Sequence, residues 1–148
     1  MQMVRLTPFL LLFWSIGLGE ANAQDATRKM GECLVSSTTG ADRIALVRWI
    51  GFSIAAHPAL AENLAITPSA INAADVEVAQ LFTDLITVRC RQQTIEAYAA
   101  DGDSAVEGAF RVLGEAAMME ATTAPDVGER MNGFLKHLDE SLFDDVFQ

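Results

Sequence analysis

Little in this chain carries recognisable chemistry, and each absence narrows the function. Two histidines, two cysteines and ten basic residues are spread over 148 positions. No HExxH, CxxC or Cys/His cluster is present, which removes the usual zinc arrangements. Asp101-Gly102-Asp103-Ser104 lacks the further oxygen ligands and closing Glu of a calcium loop. GxSxG, P-loop and GxGxxG patterns are missing, so hydrolase elbows, phosphate cradles and dinucleotide sites have no sequence support. No catalytic residue, metal or cofactor is therefore expected. Basic residues are too few and too scattered to neutralise a nucleic-acid backbone, and none forms a Lys-rich face beside an apolar one for an anionic membrane. Alternating β-branched runs, internal repeats and low-complexity tracts are also lacking.

What is present begins at the amino end. Met1 to Arg5 is weakly basic, Leu6 to Leu18 is an apolar run, and Ala21-Asn22-Ala23 sets small residues at both recognition positions of a signal peptidase site. The run is shorter than the roughly 20 residues of a spanning helix, and Pro8 and Gly17 interrupt it. Residues 1–23 read as a signal peptide cleaved after Ala23, and residues 24–148 as one exported helical domain of the periplasm or extracellular space. Gln24, not cysteine, follows the cleavage point, which disfavours a lipoprotein.

The exported part would keep nine basic and nineteen acidic residues, a net charge of −10. Its 125 residues suit a single domain. Cys33 and Cys90, an even count in an oxidising compartment, are expected to pair.

Helical punctuation predicts an all-α, single-domain bundle of about five helices with one disulfide. A short first helix covers Arg28 to Val35. Thr39 and Asp42 have the spacing of a capping box and start a second helix to about Ala56, covered by apolar residues from Ile44 through Trp49 to Ile54. His57-Pro58 ends it, and Pro58 opens a short helix to about Leu64. From about Asn72 to Ala99, Val78, Leu81, Phe82, Leu85, Val88 and Ile95 form an apolar stripe on a long helix expected to bend or break near Arg89 to Gln93. Ser104 with Glu107 predicts a start after the Asp101-Gly102-Asp103 stop, for a helix to about Ala121 with a face of small residues. Thr123 with Asp126 predicts another, running to about Phe143 with Met131, Phe134, Leu135, Leu138 and Leu142 turned inward.

Few residues compete for a functional role. His57 is the first candidate base for a small hydrolase, although a histidine at a helix end is well explained by the macrodipole and the orphan carbonyls there. Arg43, Arg48, Arg89 and Arg91 lie on the second and long helices and could line an anion-binding groove, or could be surface arginines paired with Asp42, Asp84 or Glu96. Trp49 reads as core. Met118, Met119 and Met131 read as adaptable core filler, although a Met-rich surface would suit loose binding of partners.

Cys33-Leu34-Val35, Asp42-Arg43, Leu46-Val47-Arg48-Trp49 and Ala55-Ala56-His57-Pro58 resemble the pattern of an uncharacterised family of small secreted bacterial proteins. The resemblance implies a bacterial, exported chain and brings no activity with it. The layout is also similar, in architecture alone, to the acid-stress chaperones of the bacterial periplasm, small helical proteins with one disulfide between an early and a late helix. The expected function is a non-catalytic binding or envelope-accessory protein, with an envelope protein or a small anionic ligand as partner. The alternatives are a small periplasmic hydrolase using His57 and a protein like the acid-stress chaperones.

Overall fold

A computed structural model of the protein describes residues 17–143 and Val146, with side chains from residue 21 onward. The apolar run from Leu6 to Leu18 lies outside the described residues except for its last two positions, which open the first helix. Among the described residues the chain is all-helical, with seven α-helices rather than about five: α1 Gly17–Ser36, α2 Gly40–Ala55, α3 Pro58–Ala61, α4 Pro68–Asp84, α5 Arg91–Asp101, α6 Asp103–Thr123 and α7 Pro125–Asn132. A π-helical turn, Leu85–Arg89, joins α4 to α5, and two 3-10 turns, Leu135–His137 and Glu140–Phe143, follow α7.

The buried side chains come from α1, α2, α4, the π turn, α5 and α6. α1 packs chiefly against α6 and α5, and α2 against α4 and α6. Small residues permit the α1/α6 approach. A β-carbon added at Gly108 would lie 2.8 Å from Thr27 Cγ2, and one at Gly31 would lie 3.1 Å from Val112 Cβ. Thr27 meets Gly108 and Gly31 meets Val112, so α1 and α6 run parallel in register, with Ala105, Ala109, Leu113 and Ala117 buried along the small-residue face.

The capping box forms as its spacing requires: Asp42 N–H donates to Thr39 Oγ1 at 3.2 Å and Thr39 N–H to Asp42 Oδ2 at 2.8 Å. α2 is less enclosed than its apolar sequence suggests. Ala45, Leu46 and Ala55 are buried, whereas Ile44 and Ile54 are exposed and Trp49 is only partly buried. Trp49 instead spans two helices. Its ring meets Phe82 edge-on at 6.3 Å, Phe82 lies 4.5 Å from Phe110, and the indole Nε1–H donates to Asp75 Oδ1 at 3.0 Å.

The π turn explains why the long stripe fails halfway. Ala74, Val78, Leu81 and Leu85 are buried at three- and four-residue steps, but the next buried residue is Cys90, five positions on. Cys90 N–H donates to Leu85 O at 2.8 Å, the wider closure of a π turn, and this rotates the following helix by about one residue. Val88 and Ile95, expected on the stripe, therefore face outward, while Cys90 and Ala97 turn into the core. Cys90 thereby reaches Cys33, and the two form a disulfide with Cα atoms 5.9 Å apart.

Other expectations need correction. The first helix extends upstream of Arg28 to Gly17 and so contains Ala21-Asn22-Ala23. Ser104 and Glu107 make no capping box, because Gly102, with φ of 58°, takes the cap position two residues earlier, and α6 opens at Asp103 without a side-chain cap. Thr123 closes α6 instead of capping α7. Its hydroxyl donates to Met119 O at 2.9 Å, and Pro125, fit for the first turn, opens α7 after Ala124. α7 then ends at Asn132-Gly133, and the chain continues in short 3-10 turns. α7 buries no residue and the helix does not continue, so there is no inward stripe: Met131, Phe134, Leu135, Leu138 and Leu142 are all exposed. Met118 and Met119 are likewise surface residues, not core filler.

Candidate functional site

A polar cluster that joins several elements surrounds Arg89, which ends the π turn. Its Nη1–H groups donate to Asp42 Oδ2 at 2.6 Å and to Ser37 O at 2.9 Å, and Nε–H donates to Asp84 Oδ2 at 2.6 Å. One guanidinium thus joins the loop after α1, the first turn of α2 and the end of α4. The Ser37 hydroxyl lies 3.6 Å from Cys33 Sγ and 3.5 Å from Cys90 Sγ. A disulfide has no S–H to give, so in any weak hydrogen bond here the hydroxyl is the donor.

The cluster sets one guanidinium between two carboxylates. Burial pushes the Asp42 carboxyl up, but the Arg89 guanidinium and the Thr39 amide and hydroxyl together hold it below the ordinary carboxylate range. The hydrogen bonds to Asp42 and then Asp84 raise Arg89 above its usual value. Alongside runs a groove of about 290 Å³ between α2 and α4, bounded by Asp42, Ala45, Glu77, Gln80, Leu81, Asp84 and Arg89.

The four candidate arginines do not assemble into one anion site. Arg43 Nε pairs with Glu120 of α6 at 2.6 Å and Arg48 with Glu77 of α4 at 3.0 Å, so two residues of one helix reach toward different neighbours. Arg89 holds Asp42 and Asp84, the alternative that the sequence offers for it. Arg91 is exposed and forms no ion pair among the described residues.

His57 is exposed and serves the next helix. Its Nδ1 accepts the Ala59 N–H at 3.2 Å, making it the N-cap of α3 rather than a basic residue closing α2. Among the described residues no carboxylate orients its ring, and no group of three or more His, Cys, Asp or Glu could hold a metal ion. His137 is exposed in a 3-10 turn.

Two apolar features remain. A pocket of about 280 Å³ at the end of α2 is lined only by alanines, Phe52, Leu64, Ile66 and Ile71. The larger is the segment after α6, where Met131, Phe134 and Leu135 expose 58%, 59% and 52% of their surface and Leu142 exposes 73%. Charge offers no warning of this feature. Met131 is already exposed within α7, and from Phe134 onward the exposure follows the loss of helix at Gly133, which the periodicity of the sequence conceals. No helix among the described residues is long and apolar enough to cross a membrane. Compared with protein-family models, curated proteins and solved structures, the chain matches none.

Proposed function

We propose that the chain is an exported, single-domain binding protein of the bacterial envelope, released by cleavage after Ala23 and acting without catalysis. The observation that carries this reading is the apolar segment from Met131 to Leu142, whose large side chains face solvent instead of the core. Surfaces of this kind commonly mark contact sites for other proteins. Its partner is an envelope protein that covers this segment.

Export accords with the anatomy of α1. Ala21 and Asn22 are exposed, and among the residues with described side chains the first of α1 that packs on the core is Ala26, so the core contacts of Met30, Cys33 and Leu34 lie downstream of the cleavage point. The disulfide suits an oxidising compartment. A double variant, Phe134→Ser with Leu138→Ser, tests the reading. Affinity capture from the producing cell's envelope should recover a specific protein with the unmodified chain and lose it with the variant, while circular dichroism of the two remains alike. Equal recovery by both would refute the role of this segment.

A second reading has one observation in its favour. α2 is tied to other helices by Arg89–Asp42, Arg43–Glu120, Arg48–Glu77 and Trp49–Asp75, each of which uses a carboxylate. Fastening that depends throughout on ionised carboxylates suits a protein like the acid-stress chaperones. A gain in prevention of client aggregation at low pH would favour it. The hydrolase built on His57 has no comparable geometric support.

A further inference from the structure

We infer that Gln24, once it becomes the first residue of the exported chain, cyclises to pyroglutamate and leaves the protein with a neutral, blocked amino end. The inference rests on the reading of cleavage after Ala23 and goes beyond it. Release of Gln24 exposes an α-amine beside its own side-chain carboxamide, at the spacing that closes a five-membered lactam. The amine nitrogen attacks Cδ, the new N–Cδ bond forms, the bond from Cδ to the amide nitrogen breaks, and ammonia leaves carrying the proton lost by the amine. No oxidant, water or co-reactant is consumed.

The surroundings of Gln24 suit this step. The residue is exposed, and its side chain makes no hydrogen bond among the described residues, so the carboxamide is free to fold back on the amine. The neighbouring carboxylate is already engaged: Asp25 is paired with both Lys29 and Arg28, which hold its carboxyl below the ordinary range. It is a poor counter-ion for a new ammonium. Cleavage makes Gln24 the start of the shortened α1, where the main-chain nitrogen has no intrahelical acceptor, so acylating it sacrifices no helix hydrogen bond. A positive charge there would also oppose the macrodipole, and the lactam removes it. The ring restrains the N–Cα torsion much as proline does at a helix start.

Intact-mass and amino-terminal peptide analysis of full-length protein recovered from the envelope tests the inference, with Gln24→Ala as the control. A chain beginning at Gln24 and lighter by one molecule of ammonia is expected, resistant to stepwise amino-terminal degradation until treated with pyroglutamate aminopeptidase. The Gln24→Ala chain should begin with a free amine. A chain beginning at Gln24 with full mass and a free amine overturns cyclisation and leaves cleavage after Ala23 standing. A mass retaining Met1 overturns both. The same loss of mass in the Gln24→Ala chain would also overturn cyclisation at Gln24, because alanine cannot form the lactam.

Discussion

Arg89 and Asp42 are 47 positions apart in sequence, yet their side chains meet at 2.6 Å, directly beside the turn that carries Cys90 into the core. The same guanidinium holds Asp84 and the Ser37 carbonyl, so the disulfide and the ion-pair cluster fasten the same junction of α1, α2 and the π turn. Covalent and electrostatic fastening respond to different conditions, which allows them to be tested separately.

Acid should loosen the electrostatic part. Asp42 has a folded-state value depressed below the ordinary 3.8, so its contribution is complete above that value and is lost as pH falls from there through the folded value. Denaturant midpoints followed from about pH 6 to about pH 2 should fall most steeply below the ordinary carboxyl range. Asp42→Asn should be less stable near neutrality and should show a flatter acid limb. Identical limbs for the two proteins would mean that Asp42 does not carry this dependence.

Reduction should act at any pH. The bridge closes a separation of 57 residues, for which the chain-entropy model assigns about 4 kcal/mol. Cys33→Ser with Cys90→Ser should lose a stability of this order in urea unfolding, and added reductant should then have no further effect on it.

His57 and Trp49 should separate structure from function. His57→Ala removes one cap from the four-residue α3, costs no more than about 1 kcal/mol, and should leave biological complementation intact. A folded, abundant but inactive His57→Ala protein would move the hydrolase reading ahead. Trp49 is partly buried, so truncation to Ala should cost less than the roughly 3 to 5 kcal/mol of a fully enclosed aromatic. Trp49→Phe, which keeps a ring for Phe82 but loses the bond to Asp75, should cost about 1 kcal/mol by thermal or denaturant unfolding.

Gly102 should tolerate no side chain cheaply. Its φ of 58° and ψ of −137° join α5 to α6 in a region that other residues avoid, so Gly102→Ala should destabilise by roughly 1 to 3 kcal/mol although nothing lies near the added carbon.

The sequence made the helical class, the Thr39–Asp42 cap and the Cys33–Cys90 pair legible, because each depends on local spacing or on a simple count. Val88 and Ile95 were not legible as surface residues. A π turn shifts register by one residue without a composition of its own, and a 3.6-residue pattern carried through it points the later side chains the wrong way. Phe134 and Leu138 mislead for a related reason. They keep helical spacing after Gly133, where the helix has already ended. The arginines could be assigned either way from sequence, since partners such as Glu120 and Glu77 are supplied by other helices.

Site-specific photocrosslinking in the living envelope tests the proposed contact surface most directly. A photoreactive phenylalanine analogue at position 134, in the apolar segment, is compared with one at position 98, where the native tyrosine is 55% exposed on α5. A discrete crosslinked species is predicted at 134 and absent at 98. No crosslink at 134, or the same species from both positions, would contradict binding through this segment.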